Sequence, residues 1–413
     1  MFYSLADMLD QSHPLYRLAD KIDWHRFEEA FTPLYSHGMG APAKDIRLMC
    51  GLLILKHVRN LSDESVVEQW SENAYYQYFC GMDTFSPGQP CASTELVHFR
   101  HRIGESGVEL ILAESIRVND DHDDKGTFET GLIDSTVQEK NVTYPTDAKL
   151  LKKVIGKIKK IVETEGLPMR RSYTRKLKAI YRDQRLRNHP RNHKKAKKAD
   201  RELRTIAGRL LRELQRNLNG NHSYDEQISI FIKVVNQKKN DKDKIYSIHE
   251  PEVQCISKGK EHKKYEFGNK VSVIRSLGGL ILGALSFRNE YDGYRGKKES
   301  AGTKILIPDI PKVTDSYYKK RKKRKLFCKR AGIEPTIGHL KSDFRLGRNF
   351  YKGVFGDNIN IMLAAAAYNF RRAMRLLLRL IRSLELWLET PDLTTIQSQF
   401  HPCAIYSENR MTF

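Results

Sequence analysis

No two of the chain's six cysteines (Cys50, Cys80, Cys91, Cys255, Cys328 and Cys403) stand in a C-x-x-C spacing. That argues against a disulfide framework and for reduced thiols in a cytoplasmic protein. Cys80, Cys91, His98 and His101 also lack the spacing of a zinc site. Long uncharged apolar runs are missing. The most apolar stretch, AMRLLLRLIRSLELWL, is interrupted by Arg375, Arg379 and Arg382, so no membrane span is expected. The opening MFYSLADMLD has neither the basic segment nor the apolar core of a secretion signal. No internal repeat of useful length is found. Acid is scarce relative to base: 50 Asp and Glu face 72 Lys and Arg, a net charge of +22. An excess that large favours a polyanionic partner, because each neutralised phosphate releases condensed counterions. Charge gives the class of partner and no chemistry.

What is present is enough for two or three domains: 413 residues, of which 40% are hydrophobic. Residues 1–120 read as helical. KDIRLMCGLLILKHVRN has apolar residues at helical spacing, and Ser62 is placed to cap SDESVVEQWSENAYYQYFCG. TELVHFRHRIGESGVELILAESI continues the pattern after the breaker SPGQPCAS, with Arg100, His101 and Arg102 on one helix. A DNA-binding helical domain and a plain helical bundle are equally compatible with this text.

The pattern changes at GLIDST, a short apolar strand ending in Asp134. From about 145 to 237 the chain is helical and very basic. Ile155, Ile158 and Ile161 keep one face buriable, so this is a helical insertion rather than a disordered tail. Its charge run is either a solvated face or, as its length and single sign favour, a phosphate-tracking surface. VQCISKG, YEFGNKVSVIRS and LILGALSF read as neighbouring antiparallel strands, followed by the short strand KILIP. The apolar helix INIMLAAAAYNFRRAMRLLLRLIRSLELWL belongs to the core, and 391–413 form a tail.

Phosphodiester chemistry can be carried by two Mg²⁺ ions about 3.5–4 Å apart, held by carboxylates from distant segments. Asp134 at a strand end suits that role, although Asp-Ser-Thr after a strand is also an ordinary hydrogen-bonded turn. Glu334 lies four residues after Arg330 and seven before Lys341, offsets that put the three along one helical face. Such a face is either a metal-holding carboxylate flanked by phosphate-gripping cations or a surface ion-pair ladder. Pro335 fits only a helix's first turn, so the helix should start near Gly332.

With these residues the chain resembles the insertion-sequence transposases of the DDE class, in the bacterial group with a Tyr-x2-Arg-x3-Glu-x6-Lys signature. Phe327, Arg330, Glu334 and Lys341 fall in those four places, with Phe327 replacing the tyrosine. IEPTIGHLKSDFRLGRNFYKG, HEPEVQCISKG, YEFGNKVSV and GLIDSTVQEKNVTYPTD also resemble that group, and the likeness runs from about Leu5 to Arg379. It implies an α/β, ribonuclease H-like mixed sheet flanked by helices over 121–390, interrupted by the basic insertion. It implies that Asp134 is the first catalytic, metal-holding acid and Glu334 the third, with Mg²⁺ or Mn²⁺ as cofactor. Arg330, Lys341, Arg345 and Arg348 become the DNA-binding positions. Double-stranded DNA (the element's terminal inverted repeats and target DNA) becomes the partner, bound by a homo-oligomer in the bacterial cytoplasm at the nucleoid. Asp292 is the candidate second acid. Its surroundings, RNEYDGYRGK, look like two family phrases joined, N-x-YDG-H-T and D-x-G-Y-x-G, with about one strand–helix unit missing between them. Asp292 then descends from a non-catalytic turn. The competing expectations are a DNA-binding remnant that occupies element ends and a metal-dependent nuclease.

Overall fold

The computed structural model describes residues 4–36, 42–120, 130–185, 187–218, 221–238, 240–257, 264–287, 299–300, 303–304 and 311–389. Asp292, most of KILIP and the tail 391–413 lie outside the described residues. The chain divides into two compact units, Met1–Lys125 with Ala366–Phe413, and Gly126–Ala365.

The first unit contains helices α1 (Leu5–Met8), α2 (Pro14–Lys21), α3 (Trp24–Phe31), α4 (Ile46–Val58), α5 (Asp63–Glu72), α6 (Ala74–Phe79) and α7 (Ser93–Arg117). Their starts are written locally: the Asp45 carboxylate accepts from the first amides of α4, and the Ser62 hydroxyl accepts from Ser65 N–H, as its position predicts. α4 is buried from Leu48 to Val58, so it is the centre of the bundle. The helical pattern read in TELVHFRHRIGESGVELILAESI forms α7 with a kink at Gly104, whose φ of 68° lies where glycine is comfortable and other residues are not. Asn119 donates to the Ser115 and Asn369 carbonyls, and Arg372 donates to Asn119. These bonds tie residues 366 onward of the last helix to α7.

The second unit is built on strand β1 (Gly131–Lys140). The helical insertion follows as α8 (Asp147–Thr164), α9 (Thr174–Arg185), α10 (His193–Asn217) and α11 (Asp225–Asn236), and then come β2 (Gln254–Ser257), β3 (Tyr265–Ser276) and β4 (Ile281–Phe287). The two-residue strands β5 (Glu299–Ser300) and β6 (Thr303–Lys304) pair with each other. After them come α12 (Tyr317–Ala331), α13 (Ile333–Asp343), β7 (Arg348–Asn349) and α14 (Gly353–Glu389).

β1 and β3 run antiparallel, from Gly131 opposite Ser276 to Glu139 opposite Gly268. β2 and β4 share the outer edge of β3, and β7 joins β1 in parallel at Glu139 and Lys140. The result is a mixed sheet with helices. On the edge of β1 away from β3, no described strand pairs with Gly131–Gln138. β1 and β3 approach so closely at Gly268 that a Cβ there would stand 1.9 Å from the Gln138 carbonyl oxygen, which only glycine avoids.

The insertion buries its own core, including Leu150, Ile158, Leu203, Leu210 and Phe231. Ile155, Ile158 and Ile161, singled out by their spacing, are all buried in it. The alanine-rich start of α14 is core as well, with Ala364 to Ala367 at most 1% exposed.

Candidate catalytic site

Asp134 does not end its strand. β1 continues six residues beyond it, because Ser135–Glu139 keep pairing with β3 down to Gly268 and Lys140 pairs with Asn349 of β7. Alternation puts Asp134 on the face shared by Leu132 and Thr136, opposite Val273 and beside Ala284, both buried. α12 and α13 both pack against β1. On the other face Ile133, Ile274 and Leu285 stay exposed, Leu285 at 67%.

An ion pair ties the strand to the helices. The Arg330 guanidinium donates to Asp134 Oδ1 at 3.1 Å, across 196 residues of sequence. Arg330 stands in the last turn of α12, and Glu334 stands in the first turn of α13. Between them Gly332 keeps helical dihedrals (φ −61°, ψ −16°), and its N–H bonds to the Lys329 carbonyl, tightening the joint to a 3₁₀ turn. The helix beginning at Ile333 matches the start expected near Gly332, and Pro335 sits in the tolerant first turn. Four residues along this path is one turn, so Glu334 follows directly behind the cation that holds Asp134. Ile333, Thr336 and Leu340 are buried under α13, which leaves Glu334 exposed.

The other candidates are spread along the end of α13. Lys341 is half-buried. Arg345 adopts a left-handed φ of 64° that closes the helix, and its guanidinium lies 5.7 Å from the Phe350 ring centroid. Arg348, on β7, is exposed. Phe327, in the tyrosine's place, is 37% exposed. Asp292 lies outside the described residues. Among the described residues no three His, Cys, Asp or Glu side chains gather as a metal site would require.

Sequence reasoning missed Arg275. It stands on β3 on Asp134's face, and its Nη1 lies 3.6 Å from where a Cβ of Gly332 would be. The guanidinium is therefore wedged against the joint that carries Arg330 and Glu334. The signal was available in VSVIRS, where the alternation that buries Val271 and Val273 turns Arg275 the same way.

A second group of charges lies about 20 Å further along the same face, six strand residues from Asp134. Lys140, 3% exposed, reaches Asp357 at 2.7 Å and Glu250 at 2.8 Å, and donates to the Tyr351 and Gly353 carbonyls. Asn349 donates to Asp357 Oδ1 at 2.6 Å, and Asn269 donates to its other oxygen. Burial pushes the Asp357 carboxyl above its usual range, against the pull of Lys140. Glu250, Asn269 and Asn349 come from HEPEVQCISKG, YEFGNKVSV and RLGRNFYKG. The phrases that made the resemblance specific thus largely build a buried brace at the far end of the sheet.

In the first unit, Arg100 is bound within the helical bundle. Its guanidinium makes a two-pronged bond to Asp63 at 2.8 and 2.9 Å and is buried.

Comparison with known proteins bears on this arrangement. Residues 3–102 match the family described as Transposase domain (DUF772). "Uncharacterized protein ORF8 in nfe locus" of Rhizobium meliloti is 38% identical over 181 residues, which span 41% of this chain and 83% of that protein. The chain belongs to a transposase family. No solved structure matches it. The match identifies the N-terminal helices of this transposase-family chain, including the Asp63–Arg100 pair, as the transposase domain. Among the described residues no helix is long and apolar enough to cross a membrane.

Proposed function

We propose that this chain is a DDE transposase that binds the terminal inverted repeats of its own element and cleaves and joins DNA there. The observation that carries the proposal is the Arg330–Asp134 ion pair. It draws the acid of β1 to the helical turn that precedes Glu334, so the first and third expected acids approach one helix joint. Carboxylate oxygens suit Mg²⁺ or Mn²⁺, and Asp134 and Glu334 would hold the ion. Such ions, when bound, supply charge that activates a water or 3′ hydroxyl for attack on a phosphodiester. Arg330 neutralises Asp134 and stands ready to take a phosphate, and Lys341, Arg345 and Arg348 extend the cationic edge along the end of α13 and β7. Binding is mainly electrostatic, as the net charge of +22 supports, with a homo-oligomer at the nucleoid as the working form.

A second proposal, a DNA-binding remnant without cleavage, is favoured by one observation. The edge of β1 beside Asp134 lacks a described partner strand where a second acid-bearing strand would run. Donor-end cleavage by the purified protein in Mg²⁺ or Mn²⁺, read beside end binding, separates the two. A working enzyme cuts, and loses cutting but not binding in Asp134→Ala and Glu334→Ala. A remnant binds with a steep salt dependence and never cuts. Cutting that survives both substitutions would overturn the acid assignment. Loss of cutting in Asp292→Ala would make Asp292 the working second acid.

A further inference from the structure

α12 has no buried residue. Of its fifteen residues nine are Lys or Arg and none is acidic, and Lys319 to Lys325 are seven cations in a row. Like charges three and four apart oppose a helix, and a helix that is polar all round lacks a packing reason to exist. Ser316 caps its start, and Lys323 pairs with Asp315 at 2.8 Å. Arg321, Lys322, Arg324 and Lys325 form no ion pair with any described residue. The inward edge holds Lys320, Lys323 and Leu326, all half-buried, and Arg330.

At 100° per residue the remaining cations divide around that edge. Lys319 falls back beside Arg330; of the other five, Arg321 and Arg324 lie on one flank and Lys322 and Lys329 on the other, roughly 120° apart, with Lys325 between them facing outward. All five are exposed. We propose that α12 lies in the major groove of duplex DNA, with one flank on each phosphate backbone and Lys325 toward the base edges. The dimensions agree, since a helix with side chains is about 10–12 Å across and the groove about 12 Å wide. A single strand would engage one flank. An anionic membrane would call for an apolar stripe opposite the charges, and α12 has none. The inference rests on DNA being the substrate and names the element that enters the duplex.

The test is duplex binding by the full chain across a salt series, followed by fluorescence anisotropy. The variants are Arg321→Gln/Arg324→Gln and Lys322→Gln/Lys329→Gln, with thermal unfolding as the control that these exposed changes leave the fold intact. Each pair should lower the slope of log K against log salt by about 1.8, two contacts at about 0.9 each. Amide exchange over 317–331 should slow on adding duplex. A loss confined to one pair overturns groove binding in favour of one-sided contact, and no loss in either removes α12 from the interface. An equal loss with a single strand of the same length overturns the duplex assignment. If the wild-type chain binds no duplex at all, the DNA substrate itself falls, and this inference with it.

Discussion

Each unit buries a compact three-charge set, and these two sets are opposite in composition. In the transposase domain a single carboxylate, Asp63, is held by two cations, Lys56 at 2.7 Å and Arg100 at 2.8 Å. In the sheet unit a single cation, Lys140, is held by two carboxylates, Asp357 and Glu250. Burial works against both acids. In the first set the Arg100 bonds and Lys56 win, and the Asp63 carboxyl is held at about 2. In the second, burial wins and Asp357 titrates high even with an ammonium beside it. Two cations per acid give a firmly ionised clamp, whereas two acids per cation give a site with one negative charge too many in a dry place.

The comparison breaks first at Lys140. Lys140→Met strands two carboxylates and should lower the stability of the sheet unit by about 4 kcal/mol, the cost of uncompensated buried charge. Urea unfolding followed by amide exchange in β1 and β3 measures it. Asp63→Asn should cost less, roughly 2.5 kcal/mol from a shift of nearly two pH units. Trp24, Trp70 and Trp387 all belong to the first unit, so tryptophan fluorescence reports that change alone. If Asp63→Asn proves the costlier change, the count of charges is not what distinguishes the two sets.

Acid sharpens the contrast because the signs are opposed. Asp63 is depressed from 3.8, so its contribution is present above that pH and is lost as pH falls through about 2. Asp357 is raised, so protonation favours the folded sheet unit. Its contribution is complete below 3.8 and is lost as pH rises through the elevated value. Between pH 5 and 2 the tryptophan signal should weaken in stability while exchange in β3 near Asn269 is partly offset, and Asp63→Asn should flatten the first trend. The smallest expected effect is at two caps. Ser62→Ala should cost about 1 kcal/mol in the packed first unit. Ser316→Ala at α12 should leave the melting temperature unchanged and only speed amide exchange over 317–320, because no residue of that helix is buried.

Much of this architecture was legible beforehand. The helical N-terminal region, the hairpin strands and the buried face of the insertion follow from 3.6- and 2-residue periodicities, which depend on neighbours in sequence. The extent of β1 was not legible, because its last residues, QEK, are polar and are buried by partners more than a hundred residues away: Asn269 opposite Gln138, and Glu250 and Asp357 on Lys140. The burial of Arg100 was hidden for the same reason, since its partner Asp63 lies 37 residues back. At the candidate site, sequence spacing placed Arg330 and Glu334 one turn apart. It gave no sign that Arg330 would reach across to Asp134, or that Arg275 would brace the joint.

The insertion has one further consequence. The chain leaves the sheet at Lys140 and re-enters at Gln254, whose partner Gly268 is also the partner of Glu139. Those two ends are about 10 Å apart, two strand spacings. The 2.9 Å bond from Lys244 to Asp147 ties the base of the excursion, whose core also takes in Ile245 and Ile248. The excursion packs mainly on itself, and closing a loop depends only weakly on its length. Evolution can lengthen, shorten or exchange this stretch at the level of whole gene segments, and an engineer can graft a reporter or a foreign domain there. In either case the acids of β1 and α13 would keep their places.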